Sequence, residues 1–213
     1  MKKIFVVGYA LNYAGFITDS VLTSNMGEAD IILFTGGEDV NPALYKTRPH
    51  PTTICNKERD KAEVSVFKKI KPTQLALGIC RGSQFLCVMN GGKLVQDVQN
   101  HGLWGTHGIT NDEMEYEITS THHQMQYPYN LNKEDYDVLF KSSELRSPCY
   151  YEGGNINPDV IMANGEPEIV LYHKEGMPKC LAIQGHPEYM RPDAPVVEML
   201  NNLINETLNS IEK

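Results

Sequence analysis

Short apolar runs alternate with longer mixed segments along residues 1–90. The runs lie at residues 4–7, in "ADIILFTGG" and in "TQLALGI", and glycine lies at or just beyond the end of each one. Unbroken apolar runs of this length predict strands that are buried on both faces of a sheet. Because helix-like segments separate the runs, their order predicts a parallel sheet that is covered by helices on both faces.

Several segments carry the features of helices. "NKERDKAEVSVFKKI" predicts a helix with Asn56 as its N-cap, and "SQFLCVMNGG" predicts a second helix that ends at glycine. We expect one further helix in the mixed segment at residues 12–25. The tail at residues 194–211 predicts an amphipathic closing helix, since its apolar residues recur at spacings of three and four. These apolar residues are Val197, Leu200, Ile204, Leu208 and Ile211.

The second half of the chain adds strands of a different character. "EMEYEITS" alternates between polar and apolar residues and predicts a half-exposed strand, and "DVLFKS" predicts another. "PEIVLYH" and "KCLAIQG" are separated by "KEGMP" and predict two strands joined by a short turn. We therefore expect one α/β domain over residues 1–213, with a mainly parallel central sheet flanked by helices on both faces and some antiparallel strands in the second half.

Size and charge narrow the class of protein. The chain has 213 residues, and 41% of them are hydrophobic, which suits a globular domain with a sizeable core. The net charge of -8 at pH 7 argues against a nucleic-acid partner, because binding phosphates requires clustered Lys and Arg. No apolar stretch approaches the ~20 residues that a membrane helix needs. We expect neither a nucleic-acid nor a membrane partner.

The cysteines and the first residues bear on location. Five cysteines are spread along the chain without a Cys-x-x-Cys pair, which favours free thiols in a reducing compartment. The start, "MKKIFVVGYALNYAG", has two lysines before an apolar run, but Asn12 interrupts that run and no clear cleavage site follows it. We therefore expect a cytoplasmic protein.

One cysteine lies in a pattern that is typical of nucleophiles. Cys80 is the centre of Gly78-Ile79-Cys80-Arg81-Gly82, a Gly-x-nucleophile-x-Gly sequence between a predicted strand and a predicted helix. Such a turn places the thiol at the positive end of the helix, which favours the thiolate. The amide of Arg81 is then placed to bind an oxyanion. The alternative is that Cys80 is a buried cysteine at a strand end. Cys87, which lies within an apolar run, is interpreted as core packing.

A cysteine nucleophile needs a base and a group that orients the base. "IQGHPEYM" contains His186 and Glu188 two positions apart, so both side chains project to the same side of an extended segment. The carboxylate can hold one ring nitrogen while the other nitrogen faces a thiol. Taken alone, the His-Pro-Glu sequence favours a polar turn after a strand, and the upstream Cys80 turn and Gly-Gly turn shift the interpretation towards a base with its orienting acid.

Four histidines raise the question of a metal site. His101, His107, His122 and His123 lie within a short span, but no cysteine or carboxylate accompanies them at the spacing of a zinc motif. We therefore expect no metal and no cofactor.

Six motifs together resemble a known family. "FTGGEDVNPALY", "ERD", "LGICRGSQ", "NGGKLVQD", "THHQ" and "IQGHPEY" occur in the order found in class I glutamine amidotransferase-like hydrolases. The sequence looks most like the γ-glutamyl-γ-aminobutyrate hydrolase branch, peptidase C26. The resemblance covers roughly residues 30–125 and 165–190.

The resemblance implies roles for particular residues. It implies a catalytic triad of Cys80, His186 and Glu188, and an oxyanion hole formed by the amides of Gly37 and Arg81. The substrate-binding positions that it implies are Gly36, Gln84, His122, His123 and Gln124. Asp39, Pro42 and Tyr45 match a signature of the branch, although their alternative role is loop structure. Tyr127, Tyr129, Tyr150 and Tyr151 are candidates either for a specificity pocket or for the surface.

Three classes of function follow from the resemblance. The first is a hydrolase that cleaves a small γ-glutamyl amide through a γ-glutamyl thioester. The second is a glutaminase subunit that supplies ammonia to a separate synthetase partner, and the third is a non-catalytic γ-glutamyl-binding module. The first is favoured, because "GICRGSQ" occurs together with "GGEDVNP". A homo-oligomer is also compatible with the sequence.

Overall fold

A computed structural model of the chain describes residues 1–8, 10–102, 105–151 and 156–211. The strands are β1 (Lys2–Val7), β2 (Ser20–Leu22), β3 (Ile31–Phe34), β4 (Leu75–Ile79), β5 (Lys93–Val95), β6 (Asp97–Val98), β7 (Thr106–Thr110), β8 (Glu115–Thr119), β9 (Met125–Tyr127), β10 (Tyr136–Ser142), β11 (Tyr150–Tyr151), β12 (Pro167–Tyr172) and β13 (Cys180–Ile183). The α-helices are α1 (Lys57–Phe67), α2 (Arg81–Met89), α3 (Pro158–Asn164) and α4 (Pro195–Asn209).

The central sheet has nine strands in the order β2-β1-β3-β4-β13-β12-β10-β7-β8. The strands from β2 to β13 pair in parallel, and the pairings from β13 to β8 are antiparallel. Because every second antiparallel pairing restores the original direction, β12 and β7 run against the other strands of this sheet. The predicted fold class, a mainly parallel sheet with antiparallel strands in the second half, is confirmed.

The two faces of the sheet are covered by different helices. Leu33 of β3 packs in one apolar cluster with Leu200 and Ile204 of α4. The next residue, Phe34, faces the opposite side and packs in a second cluster with Phe67 of α1 and Phe85 of α2. Successive side chains of a strand point to opposite faces, so the unbroken apolar sequence of β3 fits a strand that is buried on both sides.

Local sequence signals account for most of the helix ends. The side chain of Asn56 accepts a hydrogen bond from the amide of Arg59 at 3.1 Å, which confirms it as the N-cap of α1. After α2 ends, Gly91 takes a φ of +92°, a conformation that favours glycine. The predicted hairpin of β12 and β13 is present, with Ile169 paired to Ile183.

The helix that we expected at residues 12–25 is wrong. That segment contains a short 3-10 turn, Leu11–Ala14, followed by the edge strand β2, which pairs in parallel with β1. The amide of Thr18 donates to Asn201 of α4 at 2.8 Å, and Asp19 has a φ of 50°. Both features interrupt a helical path, and the segment has no sustained apolar period with which a helix could pack.

Two buried arginines connect α1 to the turn after β4. Arg59 donates to Glu63 at 2.7 Å and contacts Glu38 at 3.0 Å. Arg81 contacts Glu63 and Asp60, the latter at 2.5 Å. Glu63 therefore bridges both guanidinium groups, and we call these five residues the arginine network. Its side chains are almost completely buried except for that of Glu38, so each charge depends on its partners.

Within the described part of the chain, no helix is both long enough and apolar enough to cross a bilayer.

We expect Glu63→Gln to lower the free energy of unfolding by about 3 kcal/mol, because it removes the shared negative charge between two buried cations. Glu58→Gln is the matched control on the same helix, where Glu58 pairs with Lys61 on the exposed face. The control should change stability by no more than roughly 0.5 kcal/mol. Urea unfolding monitored by circular dichroism measures both values, and equal effects in the two variants would contradict the bridging role.

Candidate active site

Cys80 lies on a strained turn between β4 and α2. Its backbone has a φ of 52° and a ψ of -109°, a conformation that is rarely adopted by non-glycine residues. A Cβ atom on Gly78 would lie 2.5 Å from the carbonyl carbon of Gly82, and one on Gly82 would lie 2.1 Å from the carbonyl oxygen of Phe34. Both flanking positions therefore require glycine, and the strain is concentrated at the residue that carries the thiol.

The structure brings Cys80, His186 and Glu188 together. The side chain of His186 lies close enough to the thiol of Cys80 to interact with it electrostatically, and its Nδ1 lies 2.6 Å from Oε1 of Glu188. The Glu188 side chain is buried, and His186 stands at the start of the short 3-10 turn Pro187–Tyr189 that follows β13. Because β4 and β13 are parallel neighbours, their carboxyl ends place the thiol and the imidazole at the same edge of the sheet.

The environment of His186 favours its charged form. Burial lowers the pKa of His186, but the hydrogen bonds to Cys80 and Glu188 and the charges of both groups outweigh burial and raise this pKa to about 10. An imidazolium next to a thiol favours the thiolate, which is the reactive form of cysteine.

Cys87 differs from Cys80 in its surroundings. It is fully buried in the apolar cluster that contains Phe85, and burial raises the pKa of its thiol to about 12. Its sulfur donates a weak hydrogen bond to the carbonyl of Lys93 at 3.3 Å. Cys87 therefore contributes to packing and is chemically inert near neutral pH.

Three further residues hold His186 in place, and sequence patterns did not reveal them. The hydroxyl of Thr119 donates to the carbonyl of His186 at 2.5 Å, and the amide of His186 donates to the Thr119 carbonyl at 3.3 Å. The ring of Tyr189 stacks on the imidazole at 5.0 Å between ring centroids, and the ring of Tyr13 lies 6.0 Å away. Tyr189 ends the motif "IQGHPEY" but was given no role there, whereas Tyr13 and Thr119 lie outside the quoted family motifs and are distant from His186 in sequence.

The turn at Gly36 and Gly37 faces the strained turn that carries Cys80. Gly37 has a φ of +136°, and a Cβ there would lie 2.2 Å from Nη1 of Arg59. Arg59 also donates to the carbonyl of Gly36 at 2.8 Å, so the arginine network holds this turn. The amide of Arg81 belongs to the first turn of α2, where amides have no acceptor within the helix. Its side chain points away into the arginine network, and only the backbone of Arg81 is suited to bind an oxyanion.

A pocket of about 280 Å³ opens above the thiol. All the predicted site residues line it except Gly36, His186 and Glu188. Gly36 and His186 lie close together, since a Cβ atom on Gly36 would lie 3.2 Å from Cε1 of His186. Sequence reasoning missed four residues of its wall: Glu38, Thr52, Ile54 and Thr121. Glu38 and Thr121 lie within the motifs "FTGGEDVNPALY" and "THHQ" but were given no role, whereas Thr52 and Ile54 lie in a loop with no helical or strand period to indicate which side chains face inward.

The segment from His122 to Gln124 forms one side of the pocket. Nε2 of His123 lies 3.0 Å from Asp39, and this hydrogen bond raises the pKa of His123. The side-chain amide of Gln84 donates to the carbonyl of Gln124 at 2.8 Å. Nδ1 of His122 donates to the same carbonyl at 2.9 Å, and burial lowers the pKa of His122 to about 3, so its ring is neutral. The Nε2 atom of His122 faces inward, towards Glu168.

The signature residues and the tyrosines divide between the pocket and the core. Asp39 lines the pocket. The side chain of Tyr45, by contrast, is buried in the apolar cluster on the face covered by α1 and α2, and Pro42, in the same 3-10 turn, is also buried. Tyr127 and Tyr150 pack in a third apolar cluster, with Tyr129 against it. Tyr151 is exposed and lies against the ring of His50. Residues 152–155, which continue this stretch, lie outside the described residues.

Carboxylates do accompany the histidines, contrary to our reason for expecting no metal. Glu168 of β12 lies 2.8 Å from Nε2 of His107, and Glu166 lies 3.0 Å from Nε2 of His101. Glu168 and the ring nitrogens of His101 and His107 form a group that is able to hold a metal ion. Spacing could not reveal this group, since the antiparallel sheet brings β12 beside residues that are some sixty positions away in sequence.

Comparison with known proteins identifies the family. The family model for Peptidase C26 matches residues 8–143. Protein NtpR of Enterococcus hirae is 34% identical over 79 residues, which are 36% of this chain and 33% of that protein. The glutamine amidotransferase-like YvdE homologue of Lactococcus lactis subsp. cremoris is 41% identical over 71 residues, which are 32% of this chain and 38% of that protein. The matched segments thus span about a third of each curated relative.

Solved structures share the fold across the whole chain. A Thermoplasma acidophilum protein described as a component of GMP synthase superposes with a TM-score of 0.58 at 15% identity, covering 98% of this chain and 93% of the other. At that identity the likeness concerns the fold, while the family model covers more than half of the chain. The chain belongs to the Peptidase C26 family of glutamine amidotransferase-like hydrolases.

Proposed function

We propose that this protein is a cysteine hydrolase that cleaves the γ-glutamyl amide bond of a small γ-glutamyl compound, releasing glutamate and an amine. The observation that carries the proposal is the convergence of Cys80, His186 and the buried Glu188 at one edge of the sheet, with His186 hydrogen-bonded to Glu188. A nucleophile, a base and an orienting acid in this order are the requirements of covalent amide hydrolysis. The strained turn at Cys80 supports the same role.

In the proposed mechanism, the thiolate of Cys80 attacks the carbonyl carbon of the γ-glutamyl amide. The amides of Gly37 and Arg81 stabilise the negative oxygen. The imidazolium of His186 donates its proton to the leaving nitrogen, so that the C–N bond breaks and a γ-glutamyl thioester remains. His186 then removes a proton from water, which attacks the thioester and frees glutamate. Glu188 fixes the ring orientation throughout.

The pocket supports a small substrate with charged ends. At about 280 Å³ it is near the lower limit for pockets that bind small molecules. Its wall carries the carboxylates of Glu38 and Asp39, which suit an α-ammonium group. It also carries the imidazole of His123, which suits an α-carboxylate. Gln84 and Gln124 provide neutral hydrogen-bonding groups beside them. We infer that the glutamyl part binds here, with the leaving amine directed towards solvent.

A glutaminase that works with a synthetase is the second candidate. It is favoured by the likeness to a protein described as a component of GMP synthase, and by the glutamine amidotransferase-like name of a relative. In that case glutamine would be the substrate, ammonia the product, and a separate synthetase the partner. The five free cysteines support a reducing compartment such as the cytoplasm for either function.

Replacing the nucleophile should abolish turnover while replacing the packed cysteine should not. We expect Cys80→Ala to lower kcat by about 10⁴-fold or more, because no thioester can form. Cys87→Ala is the matched control within the same helix region and should retain most of the activity. Release of glutamate from γ-glutamyl amides, followed by mass spectrometry, measures both, and similar losses in the two variants would refute the assignment.

A substrate panel separates the two candidate reactions. The protein alone is incubated with glutamine and with γ-glutamyl derivatives of small amines, using Cys80→Ala as the blank. Amine release that exceeds ammonia release supports the hydrolase, together with a glutamyl adduct trapped on Cys80. Robust ammonia release that requires an added synthetase would support the glutaminase instead. Binding of γ-glutamyl compounds without cleavage of any of them would indicate a non-catalytic module.

The charge state of His186 predicts a particular pH dependence of thiol alkylation. With the pKa of His186 raised to about 10, its ring is positive at pH 6–9 and stabilises negative charge on a neighbouring sulfur, so Cys80 should react with iodoacetamide faster at pH 6 than the exposed Cys149. Glu188→Gln removes the negative charge that helps to raise the pKa of His186 and should slow the reaction at pH 6. Peptide mass spectrometry distinguishes Cys80 from the exposed Cys149. An unchanged rate at pH 6 in Glu188→Gln would contradict the coupling.

A further inference from the structure

A group of histidines and acids lies buried outside the reacting centre. His107 Nε2, His101 Nδ1 and His122 Nε2 lie 2.8, 3.7 and 3.9 Å from the same oxygen, Oε1 of Glu168. All four side chains are at most 1% exposed. We propose that these four residues bind one divalent transition-metal ion of the Zn²⁺ type, and we call them the histidine cluster.

The distances within the cluster fit a four-ligand site. The ligand atoms of His101, His107 and Glu168 all lie within 4.8 Å of one another. In a tetrahedral zinc site with bonds of about 2.1 Å, neighbouring ligand atoms are about 3.4 Å apart. The contacts to Glu168, between 2.8 and 3.9 Å, lie on both sides of that value. Small side-chain shifts would therefore complete the coordination.

Unpartnered atoms point to the same site. Nδ1 of His101, Nε2 of His122 and Oε2 of Glu168 are buried, and among the described residues none of them has a hydrogen-bond partner. Buried polar atoms are almost always paired, because leaving them unpaired is costly. A cation among them would satisfy a lone pair on each of these residues, whereas apolar neighbours would satisfy none.

Surrounding groups hold two of the three histidines in the orientation that a metal requires, whereas Nδ1 of His107 has no hydrogen-bond partner among the described residues. Nε2 of His101 is held by Glu166 at 3.0 Å, and Nδ1 of His122 is held by the carbonyl of Gln124 at 2.9 Å. Glu166 is itself fixed by the hydroxyl of Tyr150 at 2.9 Å. Metal-binding histidines typically donate their second N–H to a carboxylate or a carbonyl in this way, which leaves the other nitrogen free to bind the ion.

The site would be structural, because four protein ligands leave no open position for substrate. It would join β7, β12 and the segments around His101 and His122, none of which belongs to an α-helix. The carbonyl of Gln124 receives hydrogen bonds both from His122 and from Gln84, which lines the substrate pocket. An ion in the cluster would thus fix the pocket wall from behind without contacting the substrate.

The test uses Cys80→Ala protein throughout, so that the reactive thiol beside His186 cannot capture metal. We expect about one equivalent of zinc per chain by plasma mass spectrometry after chelation and reconstitution with Zn²⁺. Co²⁺ should give the visible absorption of a tetrahedral site, and Zn²⁺ at about 100 times Kd should raise Tm by roughly 5–10 °C. These readouts do not depend on hydrolysis, so a failure of the proposed reaction leaves them interpretable.

Variants locate the ion. Glu168→Gln and His107→Gln should lower zinc affinity at least about tenfold, whereas His173→Gln, which alters a surface histidine paired with Asp137, should leave it unchanged. If the cluster variants fail to fold, titration of the parent protein against a chromophoric chelator still measures whether it binds zinc. Less than about 0.1 equivalent of zinc in the parent, with no change in Tm, would show a metal-free hydrogen-bonded network and overturn the proposal.

Discussion

Glu63 holds two buried guanidinium groups, and the geometry of the reacting centre depends on that shared carboxylate. Arg59 reaches from α1 to the carbonyls of Thr35 and Gly36, at 3.1 and 2.8 Å. Arg81 occupies the position directly after Cys80, the proposed nucleophile. The backbone amides that would bind an oxyanion therefore lie on two separate turns whose relative position is set by charge-assisted hydrogen bonds. The short motif "ERD" in α1 thus belongs to the architecture of the site, although none of its side chains lines the pocket.

Much of the fold was predictable because its central strands consist of almost uninterrupted apolar residues. β3 and β4 are apolar at every position apart from one glycine, and the closing helix α4 carries its apolar residues on one face. The segment at residues 12–25 was mispredicted, since its structure depends on tertiary partners: an edge pairing with β1 and a hydrogen bond to α4. Propensity alone does not contain that information.

The candidate site shows the same division. The sequence predicted Cys80, His186 and Glu188 as a triad because Cys80 lies in one short motif and His186 and Glu188 in another, and the structure brings the three residues to the same edge of the sheet. Thr119 and Tyr13, which position the imidazole, act through a backbone hydrogen bond and a ring contact that many residue types could provide. The histidine cluster was missed for a different reason, since its carboxylate, Glu168, comes from β12, a strand that antiparallel pairing brings in from far along the chain.

In the hairpin of β12 and β13, the register of β12 is tightly constrained, whereas the connection between the two strands can tolerate an insertion. A slip of one residue in β12 would turn Glu168 to the opposite face of the sheet and would dismantle its contacts with the three histidines. The connection at residues 173–179 lies at the other end of β13 from His186. Within it, Gly176 has a φ of +77° and open space around the position where a side chain would begin. A fluorophore or an affinity peptide inserted at that turn would leave the chemistry undisturbed, which makes it a suitable handle for immobilising the protein.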